Sequence, residues 1–430
     1  MTQGEDRETL EVSRPTSNDM RHYYDKYLPF EDIFKWLNHG VEPSVDFSNR
    51  EFAFEHSNGA YQRYLSFKNG EELKGKVIRN VPTRFEVGAV YSVEPVETRK
   101  NGGKLGKPLE KELVLDIDVT DYDDVRRCCS GTSICSKCWK FVSIAVEIVN
   151  TTLEEDFGVN DKIWVFSGRR GVHCWVSDKR FRGLTESGRR AVVEYMKGGS
   201  GGSSNTTANA PLHPYLERTL EIAKVHFVDV ILREQDIWAS EEGARTLAGS
   251  IPDARLRGEL LRKWSAEKDN IMPTSTPTTL SLQRWLDVSS VYGQLNTTSF
   301  SLAGWKRDRI LATLAPRLDA EVTRQPGHLL KSPFCVHPGT GRVCVPFAVG
   351  GGGEGQMFNP FTDAPTVHQL FQQNEEGSAG TSLEPSLHLF RGHVTRVCGG
   401  GGSRDGGRES DNSNEEENKE NAAKRAKLEW

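Results

Sequence analysis

Two aspartates, Asp116 and Asp118, stand two residues apart in the run Glu112-Leu-Val-Leu-Asp-Ile-Asp-Val-Thr-Asp-Tyr-Asp-Asp124. The run begins β-branched and apolar, which predicts a strand. Alternation along it puts Leu113, Leu115, Ile117 and Val119 on one face and Val114, Asp116 and Asp118 on the other. Two carboxylates roughly 7 Å apart on one face repel each other unless a cation lies between them. Hard divalent cations such as Mg²⁺ are held by one or two carboxylates together with substrate phosphates. Read alone, the pair serves a solvated strand end equally well.

A second set of side chains lies in Ile163-Trp-Val-Phe-Ser-Gly-Arg-Arg-Gly-Val-His-Cys-Trp-Val176, which predicts strand, tight turn, strand. Gly168 and Gly171 let the backbone turn and come close to a ligand. Ser167, Arg169, Arg170 and His173 gather donors at that turn, a match for phosphate oxygens in charge and geometry. An exposed hairpin with two solvated arginines is the plainer reading of the same residues. Lys331 and His337, further along, add two more donors. An acid pair and a basic turn in one domain are what a metal–triphosphate complex needs.

The third set is sulfur. Eight cysteines occur, and four of them, Cys128, Cys129, Cys135 and Cys138, fall within eleven residues. The Cys-x-x-Cys at the end has the spacing of structural zinc ligands, and the adjacent pair before it completes four thiolates. Four unmetallated thiols on a loop would leave the clustering without a cause. Such clustering also suits a reducing compartment better than a disulfide framework.

These residues need elements to position them. At 430 residues the chain has room for two or three domains, and a hydrophobic content of 36% is low for one globule. The net charge of -5 excludes bulk basic attraction to nucleic acid, so any such contact must use local patches. No long apolar run is present, so neither a signal peptide nor a membrane span is expected. Residues 1–19 are polar and expected to be disordered. Met20 to Trp36 predicts a helix broken near Pro29, Glu51 to Phe67 a pair of strands, and Phe85 to Ser92 another. Trp139 to Thr152 predicts a helix leaving the cysteines. Lys197 to Ala210 reads as a flexible loop. Leu216, Leu220, Ala223, Phe227 and Val230 recur at helical spacing, and so do residues in 256–264 and 282–286. The expected division is an α/β core of 20–211 and 306–371, with the cysteine motif at 128–138, around a helical subdomain of 212–305. Within 328–346, two short strands about a Pro-Gly-Thr-Gly turn are expected. Residues 372–430 are expected to be loosely attached, acidic and mostly disordered, ending in a basic cluster at 422–428 of nuclear-localisation type.

Together the pieces resemble the small, catalytic subunits of eukaryotic DNA primases, within the archaeo-eukaryotic primase superfamily. The resemblance runs from about Met20 to Phe371. It is carried by Asp-Ile-Asp-Val-Thr-Asp-Tyr-Asp-Asp-Val-Arg-Arg-Cys-Cys (116–129), Ser-Gly-Arg-Arg-Gly-Val-His-Cys-Trp (167–175) and His-Leu-Leu-Lys-Ser-Pro-Phe (328–334). Arg-Glu-Phe (50–52) and Gly-Ala-Val-Tyr-Ser (88–92) add to it. The resemblance implies an α/β (α+β) core on a small mixed sheet, with a zinc knot at its edge and an all-helical subdomain. It implies that Asp116, Asp118 and Asp319 hold two Mg²⁺ or Mn²⁺ ions. Ser167, Arg169, Arg170, His173, Lys331 and His337 would hold the nucleotide phosphates, and Glu51 and Arg63 would edge the site. Cys128, Cys129, Cys135 and Cys138 would bind a structural zinc. Glu86 stands where the family pattern leads one to expect an aspartate.

The implied activity is synthesis of RNA primers from ribonucleoside triphosphates on a single-stranded DNA template. The implied partners are the large primase subunit, as a heterodimer, and the DNA polymerase α complex, in the nucleus. Two other classes use part of this residue set. A metal-dependent nuclease needs the acids but not a triphosphate-gripping Arg/His/Lys set. A non-catalytic zinc-bearing scaffold of a replication complex needs the cysteines but not the acids.

Overall fold

A computed structural model describes residues 12–100, 102–198, 212–267, 279–296, 299–350, 357–376 and 380–399. Residues 1–11 of the expected disordered N-terminus, 199–210 of the expected loop, and the acidic tail with its basic cluster lie outside them.

Helix α1 (Ser17–Lys26) opens on a capping box between Thr16 and Asp19, and α2 (Phe30–Asn38) follows after the expected break at Pro29. Helix α3 (Val45–Ser48) leads into β1 (Arg50–Glu55) and β2 (Tyr61–Leu65), then α4 (Gly70–Asn80) into β3 (Arg84–Tyr91) and β4 (Pro108–Glu110). Next come β5 (Leu113–Asp118), α5 (Ser136–Glu155), β6 (Lys162–Phe166), β7 (Gly171–Val176), α6 (Lys179–Arg182) and α7 (Glu186–Tyr195). The helical stretch holds α8 (Pro214–Phe227), a π-helical continuation Val228–Glu234, α9 (Glu241–Gly249), α10 (Ala254–Glu267), α11 (Leu280–Leu295) and α12 (Leu302–Leu314). The chain returns through α13 (Ala320–Arg324), β8 (Leu330–Lys331), β9 (Pro346–Phe347), α14 (Val367–Glu375) and α15 (Glu384–Gly399).

Two sheets form, one ordered β2-β1-β3-β4 with β8 also on β3, the other β5-β7-β6-β9. Every pairing in them is antiparallel, so the expected single mixed sheet is corrected to two antiparallel ones. The reason is connectivity: β1 to β2 and β6 to β7 are joined by short turns, which reverse the chain. The expected paired strands within 328–346 are present only as a short ladder at the turn. The arms of that turn do pair, through the bridge Val336–Val343 and the bonds His337 N to Arg342 O at 2.9 Å and Cys344 N to Cys335 O at 2.8 Å, but beyond them β8 joins the first sheet and β9 the second. One segment thus ties the two sheets together.

The core is continuous from α1 to α15. Helix α5 buries Trp139, Phe141, Val142, Ile144, Ala145 and Ile148, and Trp139 meets Phe166 of β6 edge-on at 5.7 Å. Each large apolar side chain so buried stabilises the fold by about 1.5–3 kcal/mol. The helical stretch has its own aromatic centre, with Trp285 stacked between Trp238 at 5.7 Å and Trp305 at 5.3 Å. Helix α12 runs across residue 305, where the helical subdomain was expected to end.

The expectation of a loosely attached chain beyond 372 does not hold for 380–399. Helix α15 buries Leu387, Phe390, His393 and Val394, and Phe390 meets Trp36 at 5.7 Å. The Trp36 Nε1 donates to Ser177 Oγ at 2.9 Å, and that hydroxyl lies 3.0 Å from His393 Nε2. Glycine-flanked chain reads as loose in composition, yet an apolar helix face between the flanks still finds the core. No helix among the described residues is long and apolar enough to cross a membrane.

Candidate active site

Strand β5 carries Asp116 and Asp118, and β7 lies beside it with His173 opposite Asp116 and Gly171 opposite Asp118. Glycine is required at 171, because a Cβ there would stand 2.4 Å from the Ile117 carbonyl oxygen. Gly168 has φ +89, and a Cβ on it would strike the His337 Cβ at 2.5 Å. Those two glycines let the basic turn close against β5 on one side and against the His337 segment on the other.

The turn reaches the acids directly. Arg170 Nε donates to Asp118 Oδ2 at 2.6 Å, and His173 Nε2 lies 3.7 Å from Asp116 Oδ1. The other Asp118 oxygen accepts from Thr120 N at 2.8 Å and Thr120 Oγ1 at 2.7 Å. Asp319 arrives from two hundred positions away along three tethers. Its own N–H donates to the Asp116 carbonyl at 3.1 Å, and Thr323 Oγ1 donates to the Val114 carbonyl at 2.7 Å. Arg317 supplies the third: its N–H donates to Tyr122 Oη at 3.1 Å, and its guanidinium lies over that ring at 4.9 Å. Asp319 Oδ1 then caps α13, accepting from Glu321 N at 2.9 Å. One oxygen of Asp118 and one of Asp319 are thereby committed to the backbone, which aims each carboxylate.

Bringing these acids together has an electrostatic cost. Burial, then Asp118, Asp319 and Asp121, push the Asp116 carboxyl up to about 7. Asp121 is raised as well, by burial and then by Asp118 and Asp319. A divalent cation would relieve this repulsion, so the donor set fits one. Sequence reasoning missed Asp121 and Arg317; both lie within three residues of an aspartate it had singled out.

Lys331, on β8, donates from Nζ to the Ser167 carbonyl at 2.6 Å, so a side chain from one sheet reaches the turn of the other. The Ser167 hydroxyl accepts from Gly171 N at 3.1 Å and keeps its own proton to donate. His173 is pushed down to about 3 by burial and then Lys331, and His337 to about 3 by burial, Lys331 and Arg169. Both imidazoles are therefore neutral at pH 7 and bring N–H groups rather than charge. The His337 Nδ1 accepts from Gly339 N at 3.1 Å, which leaves its proton on Nε2. Glu51 is fully buried and orients Arg63, whose Nε and Nη2 donate to it at 3.0 and 3.2 Å. Glu86 accepts from Tyr61 Oη at 2.5 Å and pairs with Arg84 at 3.2 Å. Burial and then the charge of Lys111 push the His328 imidazole down, against the smaller pull of Asp319 and Glu86.

All eight cysteines are unbridged, and the sulfurs of Cys128, Cys129, Cys135 and Cys138 lie within 4.8 Å of one another. Cys135 and Cys138 are 4.0 Å apart. Tetrahedral thiolates about 2.3 Å from zinc stand about 3.8 Å apart, so the cluster fits that ion. His39, Asp46 and Glu110 also converge. There, however, His39 Nδ1 and Nε2 are each engaged with a carboxylate at 2.9 Å, Asp46 and Glu112, beside the buried Arg50–Glu112 pair. That is an ion-pair network with no ring nitrogen left over for a metal.

Residues 115–349 match the sequence family described as DNA primase small subunit. The DNA primase small subunit of Schizosaccharomyces pombe is 44% identical over 370 residues, covering 84% of this chain and 79% of its own length. The chain belongs to the DNA primase small-subunit family. The Saccharomyces cerevisiae small subunit is 42% identical over 400 residues, 90% of this chain and 94% of its own. That of Drosophila melanogaster is 37% identical over 362 residues, 82% of this chain and 80% of its own. The two-sheet core with its helical stretch is accordingly an archaeo-eukaryotic primase core, and its reaction is RNA primer synthesis for DNA replication. The nuclease and scaffold readings fall away with that membership.

Proposed function

We propose that this chain is a nucleotidyltransferase that joins ribonucleotides on a single-stranded DNA template, with Asp116, Asp118 and Asp319 holding two divalent cations. In each cycle a 3′-hydroxyl gives up its proton to water, its oxygen bonds to the α-phosphorus, the bond to the α,β-bridging oxygen breaks, and pyrophosphate leaves. When bound, Mg²⁺ or Mn²⁺ would lower the hydroxyl's pKa and stabilise the attacking and leaving oxygens. The observation that carries the reading is the meeting of three acids with a basic turn, Arg170 on Asp118, His173 beside Asp116 and the Asp319 segment tied to the Asp116 carbonyl.

The chain's own groups have distinct parts. Arg170 now lies on Asp118. In the reading proposed it moves to phosphate oxygens, where its planar fork offers two parallel N–H bonds. Arg169 and Lys331 offset the negative charge that builds on the β,γ-phosphates. Ser167, His173 and His337 donate neutral hydrogen bonds, and the Glu51–Arg63 pair would edge the site. Zinc at Cys128, Cys129, Cys135 and Cys138 is structural, because four protein ligands leave no open position. We assign the larger primase subunit as partner, with the DNA polymerase α complex beyond it, and a nuclear place of work. The test is incorporation of a labelled ribonucleotide into product. Asp116→Ala and Asp118→Ala should abolish it while the protein stays folded, with a cooperative melting transition no lower than the parent's. Near-normal incorporation with Mg²⁺ or Mn²⁺ would end the two-cation reading, and a collapsed transition would make the aspartates structural.

A further inference from the structure

We propose that Gln235, 107 positions from Cys128 in sequence, is a positioning residue for the four-cysteine site, holding Cys128 for the metal and so coupling zinc occupancy to the docking of the π-helical segment. The proposal rests on the zinc reading above.

Adjacent cysteines are a poor way to present two sulfurs to one ion. In extended chain, neighbouring side chains point to opposite sides. The Cys-x-x-Cys pair has no such difficulty, since the start of α5 orients it and Cys138 Sγ accepts from Cys135 N at 3.2 Å. The first pair needs its backbone held bent from outside. Gln235 does this: its Oε1 accepts from Arg127 N at 2.7 Å and from Cys128 N at 3.3 Å. With both backbone N–H groups on the oxygen, the NH₂ end must face the sulfur, and Nε2 donates to Cys128 Sγ at 3.4 Å. Arg126 approaches the cluster as well, with Nη1 3.7 Å from Cys138 Sγ. Four thiolates on Zn²⁺ carry a net negative charge, and donors on the sulfurs offset it.

The segment that delivers Gln235 is unusual. Helix α8 widens at Val228–Glu234 into a π-helix, a form rare in proteins and concentrated at functional sites. The Gln235 N–H still reaches back five residues to the Val230 carbonyl at 3.0 Å, and its side chain is buried. Directly after it Asp236 takes a left-handed φ of 46. Its Oδ1 accepts from Ser281 N at 2.8 Å, and Ser281 Oγ accepts from Trp238 N at 2.8 Å, which fastens the segment to α11. The Gln235 amide thus joins the bonds that fasten the π-helical segment to those that hold the cysteine loop.

Chelator competition on the full chain, with hydrogen exchange read at residues 127–138 and 228–238, tests this. Gln235→Glu keeps acceptors for the two N–H groups but sets a carboxylate against the sulfur in place of a donor. It should lose zinc at roughly ten- to a hundredfold lower chelator concentration, the usual effect of losing an outer-shell partner. Glu234→Gln, which weakens the neighbouring ion pair to Lys140, should hold zinc as the parent does. Stripping zinc from the unaltered protein should raise exchange at 228–238 as well as at the cysteines. Zinc affinity unchanged in Gln235→Glu, or 228–238 still protected after stripping, overturns the coupling while leaving the zinc site standing. An unaltered chain that purifies without zinc overturns the zinc reading and the coupling with it.

Discussion

Replacing Asp116 by asparagine removes a charge that the surrounding acids oppose whenever no cation is present. The Asp116 carboxyl, ordinarily near 3.8, is displaced to about 7 by burial first and then by Asp118, Asp319 and Asp121. Each pH unit of displacement corresponds to about 1.4 kcal/mol, so ionised Asp116 is disfavoured in the fold by about 4 kcal/mol. The side chain keeps 23% exposure, which trims the expected gain for Asp116→Asn to about 2–4 kcal/mol. The sign depends on pH. Below the unfolded value both states hold the proton and the parent pays no penalty. Between that value and 7 the folded chain keeps a proton that the unfolded chain releases, so parent stability falls as pH rises. The variant's advantage should therefore be complete at about pH 8 and shrink to roughly a third of that near pH 5. Urea unfolding in buffer freed of Mg²⁺ and Mn²⁺, with zinc retained, measures it. Adding Mn²⁺ at about a hundred times its Kd should then stabilise the parent by about 2.7 kcal/mol and the variant by much less. Equal stabilities at pH 8, or equal gains with Mn²⁺, would refute the reasoning.

Arg170→Ala should raise the apparent KM for all four ribonucleotides by a similar ten- to a hundredfold or so, the loss of a charge-assisted bond to groups that carry no base identity, while template binding measured without nucleotide stays put. Arg170→Lys should restore only part, since lysine lacks the fork; weaker single-strand binding with nucleotide affinity intact would place Arg170 on the template instead. Cys135→Ser should lower bound zinc and thermal stability more than it lowers nucleotide affinity, as metal analysis beside a nucleotide titration would show. Phe390→Ala should cost about 3–5 kcal/mol in unfolding experiments, because Phe390 fills the space against Trp36 and Phe334; a loss within error of zero would return α15 to the status of an appendage.

Much of the site was legible because its signals are local. Alternation placed Asp116 and Asp118 on one strand face, and the strand is there. The glycines at 168 and 171 announced a turn whose donors the structure brings to the acids. The cysteine spacing foretold four converging sulfurs. Each of these follows from a period or spacing of a few residues, which backbone geometry converts directly into position.

What the sequence could not supply by itself is whatever depends on distant chain. Asp319 is an ordinary acid until Tyr122 Oη and the Asp116 carbonyl tie its segment to β5. Helix α15 reads as tail until Phe390 and His393 meet Trp36 and Ser177. The two histidines read as donors in the sequence, but that they are neutral donors follows from burial, with Lys331 adding to it, and burial is a property of the assembled fold. Gln235 carries no motif at all; only the packing of a π-helix against the cysteine loop brings it to Cys128. Local periodicity determined which elements form and which faces carry chemistry. The docking of those elements, driven by burial of their apolar faces, decided which charges meet, and so set the electrostatics on which the site depends.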